Sequence, residues 1–260
     1  MRIHRACRRA ENVAREGGTS GEDSYFPERA LARFLSRTDE GIKIYAFEKR
    51  GVQPVRVGYQ LLVNRLELDA IVLIDGGTDI LLRGDEAGLG TPEEDMTSLA
   101  AVAGIPVATR IVACVGFGID TFHGVCHANW LENVGALTRS GAFLGAMALL
   151  EPMPEVQSYI DAVDAGDMAT PRRPSIVNGS IVSAINGYFG DFHRTSRTSG
   201  SQLFINPLMT LLWCFDLEGV ARRNLYLGLL EDTETIWQVQ STIAMFRETV
   251  KWRPRTLIPH

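Results

Sequence analysis

The apolar and polar positions of this chain fall into short runs separated by glycine, proline and small polar residues. The sharpest boundary follows Ala70 to Ile74, five apolar residues in a row, three of them β-branched, ended by Asp75-Gly-Gly. A continuous run this short predicts a strand buried on both faces, as in a parallel sheet. Thr91-Pro-Glu-Glu then predicts a helix start. Thr91 is the expected N-cap, Pro92 the first helical residue and Glu94 the partner in a capping box. Met96, Leu99, Ala100 and Ala103 form the apolar stripe of that helix, and Gly104 its stop.

The same patterns run along the rest of the chain. Pro27 opens a helix with Leu31, Phe34 and Leu35 on one face, and Ile42 to Phe47 alternates as a strand does. Val55, Tyr59, Leu62 and Leu66 keep helical register. Arg110 to Val115 predicts a strand, 125–138 a helix, and Ala142 to Leu150 a further strand. Beyond Glu151 the spacing predicts helices over Pro154 to Val163 and Ser175 to Gly187, then a long polar loop over 187–207. Leu208 to Phe215 fits strand and helix equally. Asp232 is the expected cap of a last helix carrying Ile236, Val239, Ile243 and Phe246. Strands alternating with helices imply βαβ units, so the fold class is α/β, three-layered, with a mostly parallel sheet. Residues 25–260 read as a single α/β domain, preceded over 1–24 by an arm rich in arginine (Arg2, Arg5, Arg8, Arg9, Arg15).

Composition narrows the function. A net charge of −5 on 260 residues, with no basic stripe, argues against nucleic acid as a partner. No apolar run approaches the roughly 18 residues of a membrane span. The four cysteines form no C-x-x-C pair, and the first residues are charged throughout, so the expectation is a cytoplasmic protein with reduced thiols and a small-molecule ligand.

Three loops carry candidate chemistry. The first, Asp75 to Gly90, follows a strand and is crowded with carboxylates and glycines. Ligands of open α/β sheets bind beyond the carboxyl ends of strands. Asp75 and Asp79 are therefore candidates for general base or for ligands of Mg²⁺ or another divalent cation, which prefers oxygen. Gly76, Gly77, Thr78 and Glu86 would line the same pocket. Glu93, Glu94 and Asp95 are instead expected to suit the helix N-terminus electrostatically. The second loop, after the next strand, holds Gly116, Gly118, Asp120 and His123, the last two as an acid–base pair. Cys126 and His127 complete no set of four zinc ligands. The third loop offers Arg194, Arg197 and Ser199, suited to a phosphate or carboxylate. Tyr25, Trp130, Trp213 and Trp237 are read as packing residues.

The combination D-G-G-T-D, R-G-D-E-A-G-L and G-T-P-E-E-D resembles an uncharacterised prokaryotic domain-of-unknown-function family with a Rossmann-like fold. Gly84, Glu86, Gly88, Leu89, Pro92 and Asp95 carry the match, joined by Gly116-x-Gly-x-Asp120, Pro207-Leu-Met, Trp213 and Phe215. Relatives begin with a further glycine-rich strand–loop–helix unit that is not found before Tyr25 here, so the resemblance implies that this unit is shortened or replaced, with the 1–24 arm as the expected remnant of a lost first βα unit. Asp75-Gly-Gly-Thr-Asp79 is also similar, more loosely, to the D-G-G-N-E loop of D-glutamate cyclase, which implies a small amino-carboxylate substrate. The leading expectation is an enzyme, hydrolase or lyase, acting on a small anionic metabolite by hydrolysis or by elimination or cyclisation. In it Asp75 and Asp79 hold a metal or act as base, His123 moves a proton, and Arg194 and Arg197 bind the substrate. Two other readings stand: a nucleotide- or metabolite-binding module without chemistry, and a structural protein whose exposed sheet edge or apolar surface makes a homo-oligomer.

Overall fold

The structure, a computed structural model, describes residues 4–6, 26–38 and 42–258. Apart from a strand at His4–Ala6, the arginine-rich arm and Tyr25 lie outside these residues. In chain order the elements are β1 (His4–Ala6), α1 (Pro27–Thr38), β2 (Ile44–Ala46), α2 (Val52–Leu66) and β3 (Ala70–Asp75). Then come α3 (Pro92–Ala103), β4 (Thr109–Cys114), α4 (His127–Arg139), β5 (Phe143–Ala148), α5 (Pro154–Ala169), α6 (Ile176–Ile185), β6 (Leu211–Asp216), α7 (Leu217–Arg223) and α8 (Ile236–Thr249). Short 3₁₀ turns punctuate the loops. Among the described residues, no helix is long and apolar enough to cross a membrane.

The main sheet has four strands in the order β3-β4-β6-β5, and β1 pairs with β2 in a separate two-stranded ribbon. β3 and β4 are parallel and in register from Ala70↔Thr109 to Asp75↔Cys114. β6 is antiparallel to both β4 and β5. The sheet is therefore mixed, with one parallel pair, where a mostly parallel one was expected. The reason lies in the excursion between β5 and β6. The Leu149 N–H, just past β5, bonds the Thr210 carbonyl, just before β6, at 2.8 Å. The chain leaves the sheet, makes α5, α6 and the long loop, and returns where it left. Strand β6 must then run back along β5, as in a hairpin.

Position in the sheet also corrects the expected burial of β3. It is an edge strand, with Ile71 and Leu73 buried but Val72 and Ile74 49% and 65% exposed. The core lies on the other face, where Ile71, Leu73, Val112, Cys114 and Phe215 meet Met96 and Leu99 of α3, Trp130 of α4, Leu217 of α7 and Val239 and Ile243 of α8. At roughly 1.5–3 kcal/mol for each fully buried large side chain, this cluster holds the sheet against α3, α4 and α8. Two caps differ from expectation. Thr91 precedes α3 but its hydroxyl caps nothing. The cap of α8 is Thr235, not Asp232, in a full capping box with Gln238.

Candidate active site

β3 ends at Asp75 and β4 ends directly beside it at Cys114, so the loops that follow share one edge of the sheet. After Asp75 the chain turns through Gly76 and Gly77 into a 3₁₀ turn, Asp79–Leu81. After Cys114 it turns through Gly116 and Gly118 into a second, Ile119–His123. The two turns are tied together. Asp120 Oδ2 accepts from the Thr78 N–H at 2.7 Å and from its hydroxyl at 3.3 Å. The Trp130 indole N–H donates to the Thr78 carbonyl at 2.8 Å from the core below. Asp79 Oδ2 accepts from the Thr91 N–H at 2.7 Å, so a carboxylate distant in the loop does the capping that the Thr91 side chain does not. Asp75 Oδ2 faces the Ile80 N–H at 3.4 Å.

Glycine is required where these carboxylates press on the backbone. A Cβ on Gly77 would lie 2.9 Å from Asp120 Oδ2 and 3.1 Å from Asp75 Oδ1. Gly90 has φ +70°, and a methyl group there would overlap the Asp79 carboxylate.

The result is a cleft of about 540 Å³ with an acidic floor. Asp75, Asp79 and Asp95 each offer one oxygen, all within 4.8 Å of one another. Asp120 and His123 line the same cleft; Lys49, Trp237 and Gln240 form its wall and rim, with Lys49 paired to Glu94. Burial, then mutual repulsion, raises the proton affinity of the floor. Asp95 is pushed up to about 8 by burial and by Asp79 and Asp120, and Asp120 to about 7 by burial and by Asp79. Asp75 is raised well above the usual carboxylate range by burial and by Asp95, Asp79 and Asp120. Asp79 is raised too, by burial, against the opposing bond from Thr91. Four acids packed this way favour a cation or shared protons.

The sequence model of the family described as "Protein of unknown function (DUF1152)" matches residues 18–249. The chain belongs to the DUF1152 family. No solved structure matches it.

In this DUF1152 protein Asp75, Gly76, Asp79, Asp120 and His123 line the same cleft, with Gly77 and Thr78 beneath. Other expected residues lie elsewhere. Glu86 is fully buried and accepts from the Arg83 and Gly84 N–H groups at 3.1 and 2.8 Å, from Asn133 at 2.8 Å and from Arg253 at 3.0 Å. All its acceptor capacity is spent inside the protein. Gly116 and Gly118 adopt positive φ and shape the second turn from behind the cleft. Arg194 pairs with Asp164 and approaches Asp167 at 3.9 Å. Arg197 donates to the Pro174 carbonyl at 2.7 Å, and the Ser199 hydroxyl to the Ser196 carbonyl at 2.8 Å. These three side chains are therefore taken up by α5, by the segment before α6 and by their own turn, and none of them lines the cleft; the loop meets the second one instead through Asn206, which donates to the Phe117 carbonyl at 3.3 Å.

Several cleft residues were read differently from sequence, Glu93 and Glu94 among them. Asp95, assigned to the helix N-terminus, points into the floor. It stands in helical register with Leu99 and Val102, both fully buried, and that register was the signal for its burial. Trp237, assigned to packing, is 74% exposed at the cleft rim. By contrast Trp130 packs in the core, edge-on to Phe117 and Trp213. His127 hydrogen bonds Thr121 at 2.9 Å, with its proton affinity lowered by burial, and lies outside the cleft.

Proposed function

We propose that this protein is a divalent-cation-dependent enzyme acting on a small anionic metabolite, a phosphate or carboxylate, by hydrolysis or elimination. The observation that carries the proposal is the group of three carboxylate oxygens, from Asp75, Asp79 and Asp95, gathered within 4.8 Å on the floor of a cleft of small-molecule size. Mg²⁺ and Mn²⁺ bind through a few carboxylates and keep open positions for water and substrate oxygens. Without such an ion the floor would repel an anion. The β3–β4 pair, with both loops on one carboxyl edge, supports treating the fold as a Rossmann-like variant that binds at that edge.

Each residue then has a chemical role. Asp75, Asp79 and Asp95 hold the cation, with Asp79 fixed by the Thr91 N–H and Asp75 crowded against Gly77. Bound there, a divalent cation would supply Lewis acidity to a substrate oxygen and would lower the pKa of a coordinated water. Asp120, at the edge of the cleft and hydrogen-bonded by Thr78, is placed to take and return a proton as general acid–base. Its Oδ2 is held by Thr78, which leaves Oδ1 for the transfer. His123, on the same turn, exchanges that proton with solvent at the mouth. The free, unpaired cysteines Cys114, Cys126 and Cys214 support a reducing, cytoplasmic setting.

The test is a turnover screen over phosphate monoesters, phosphoanhydrides and hydroxy- or amino-carboxylates with Mn²⁺ present. Product should form with at least one class, vanish on chelation and vanish in Asp75→Asn without loss of fold. Turnover that survives both treatments would contradict the assignment. Ligand binding without product from any class would favour the non-catalytic binding module.

A further inference from the structure

The wall of the cleft facing the acids comes from the first turns of α8, and it has a different chemistry. Trp237 and Gln240 stand three residues apart on that helix, so both reach the cleft from one side. The opposite side of α8 is anchored by Val239 and Ile243, buried in the core. The capping box of Thr235 and Gln238 fixes the first turn. Trp237 is thus a rigidly carried ring, yet 74% exposed. Its indole N–H has no partner among the described residues, and no described aromatic ring lies against it. An indole usually gives its large apolar area to a core or an interface. Besides the acid floor, His123, Thr91, Glu93 and Glu94, the cleft is lined by this ring, the Gln240 amide and the Lys49 ammonium, with Ile236 and Val177 adding apolar surface.

We propose that the substrate is a phosphorylated compound bearing a flat aromatic ring, of the nucleotide class, its phosphate directed at the cation-loaded acid floor and its ring stacked on Trp237. This rests on the cation-dependent reading of the floor. A cleft of about 540 Å³ accommodates both parts at once. Stacking on an exposed aromatic tolerates any flat ring, and the Gln240 amide, able both to donate and to accept, can meet a ring edge. Lys49 would leave Glu94, an exposed pair of little intrinsic worth, for the arriving phosphate. A simple ammonium ligand fits the observations less well. Three oxygens within 4.8 Å form a compact site for a small ion.

The test compares AMP with ribose 5-phosphate, which differ by the base alone, by calorimetry on the intact chain with Mn²⁺ saturating. AMP should bind more tightly by roughly tenfold or more, the scale of one stacked base. That advantage should disappear in Trp237→Ala, while the affinities for Mn²⁺ and for ribose 5-phosphate stay as they were. Equal binding of the two phosphates, or an advantage that Trp237→Ala retains, would overturn the assignment of the ring site and leave the cation site standing. Absence of Mn²⁺ binding would overturn both. Spermidine bound in the cleft while neither phosphate binds would overturn the nucleotide class in favour of an organic cation.

Discussion

Two groups of acids lie in and around the loop after β3, Asp85 and Glu86 within it and Asp75, Asp79, Asp95 and Asp120 at its two ends and on the neighbouring turn, and the protein treats them in opposite ways. Asp85 and Glu86 are enclosed by cations. Arg253 meets Asp85 and Glu86 at 3.0 Å each and also pairs with Glu132, Arg83 reaches Asp85 at 3.3 Å, and Asn133 passes the charge of Arg223 to Glu86. Asp75, Asp79, Asp95 and Asp120 have no arginine or lysine at ion-pair distance among the described residues. They hold one another's charge at close range, and three of them are shifted towards protonation chiefly by burial and by each other. Buried charge is tolerable only when paired or neutralised. In the first group the protein supplies the partners, so the acids are structural. In the second no arginine or lysine among the described residues does so, and the proposed cation site rests on that difference.

The two groups should respond to neutralisation with opposite signs. The largest effect belongs to the compensated pair. Arg253→Met leaves Glu86 buried without its cation and should cost roughly 3 kcal/mol in urea unfolding, with Mn²⁺ affinity intact in the folded fraction. Loss of Mn²⁺ binding without loss of stability would reverse the roles given to the two clusters. Gly90→Ala should come next. It strains a left-handed residue and pushes on Asp79, so it should lower stability by about 1–2 kcal/mol and weaken Mn²⁺ binding as well. A variant with unaltered metal affinity would show that Asp79 is not a ligand.

Smaller shifts come from protons. Asp95 and Asp120 have folded pKa values raised above those of the unfolded chain, so the folded state binds the extra protons between about pH 4 and 8. The stability they allow is complete below the unfolded value and is lost as pH rises through 7 to 8. The metal-free protein should therefore melt a few degrees lower at pH 8.5 than at pH 5.5, and Mn²⁺ should recover the difference. Asp95→Asn should flatten that slope and raise the melting temperature at pH 8.5, against the usual direction of substitutions at a core edge. A steeper slope in the variant would rule out mutual repulsion as the cause.

How much of this was written in the sequence depends on the range of the contacts. Asp75, Asp79, Asp120 and His123 could be grouped from the sequence because each lies at a strand end or in the loop that follows one, and one parallel pair brings the two ends together. Asp95 was misread because a helix N-terminus offers an acid an adequate local explanation. Its register with Leu99 and Val102 was the competing signal. Glu86 was misread because its partner, Arg253, stands 167 residues away and no local pattern announces it. The direction of β6 and the exposure of Val72 and Ile74 were hidden for a related reason. A five-residue apolar run reports neither its place in the sheet nor the point at which a sixty-residue excursion returns. Arg194 and Arg197 looked available because a loop sequence does not show that Asp164 and the Pro174 carbonyl will take them.

The central claim, that the open acid group is completed by a divalent cation, is tested most directly by calorimetric titration of the metal-free protein with Mn²⁺ at pH 8 and pH 6. Binding should be saturable at pH 8, weaker and with greater proton release at pH 6, and lost in Asp79→Asn. No binding at pH 8, or binding that Asp79→Asn and Asp95→Asn both leave unchanged, would contradict it.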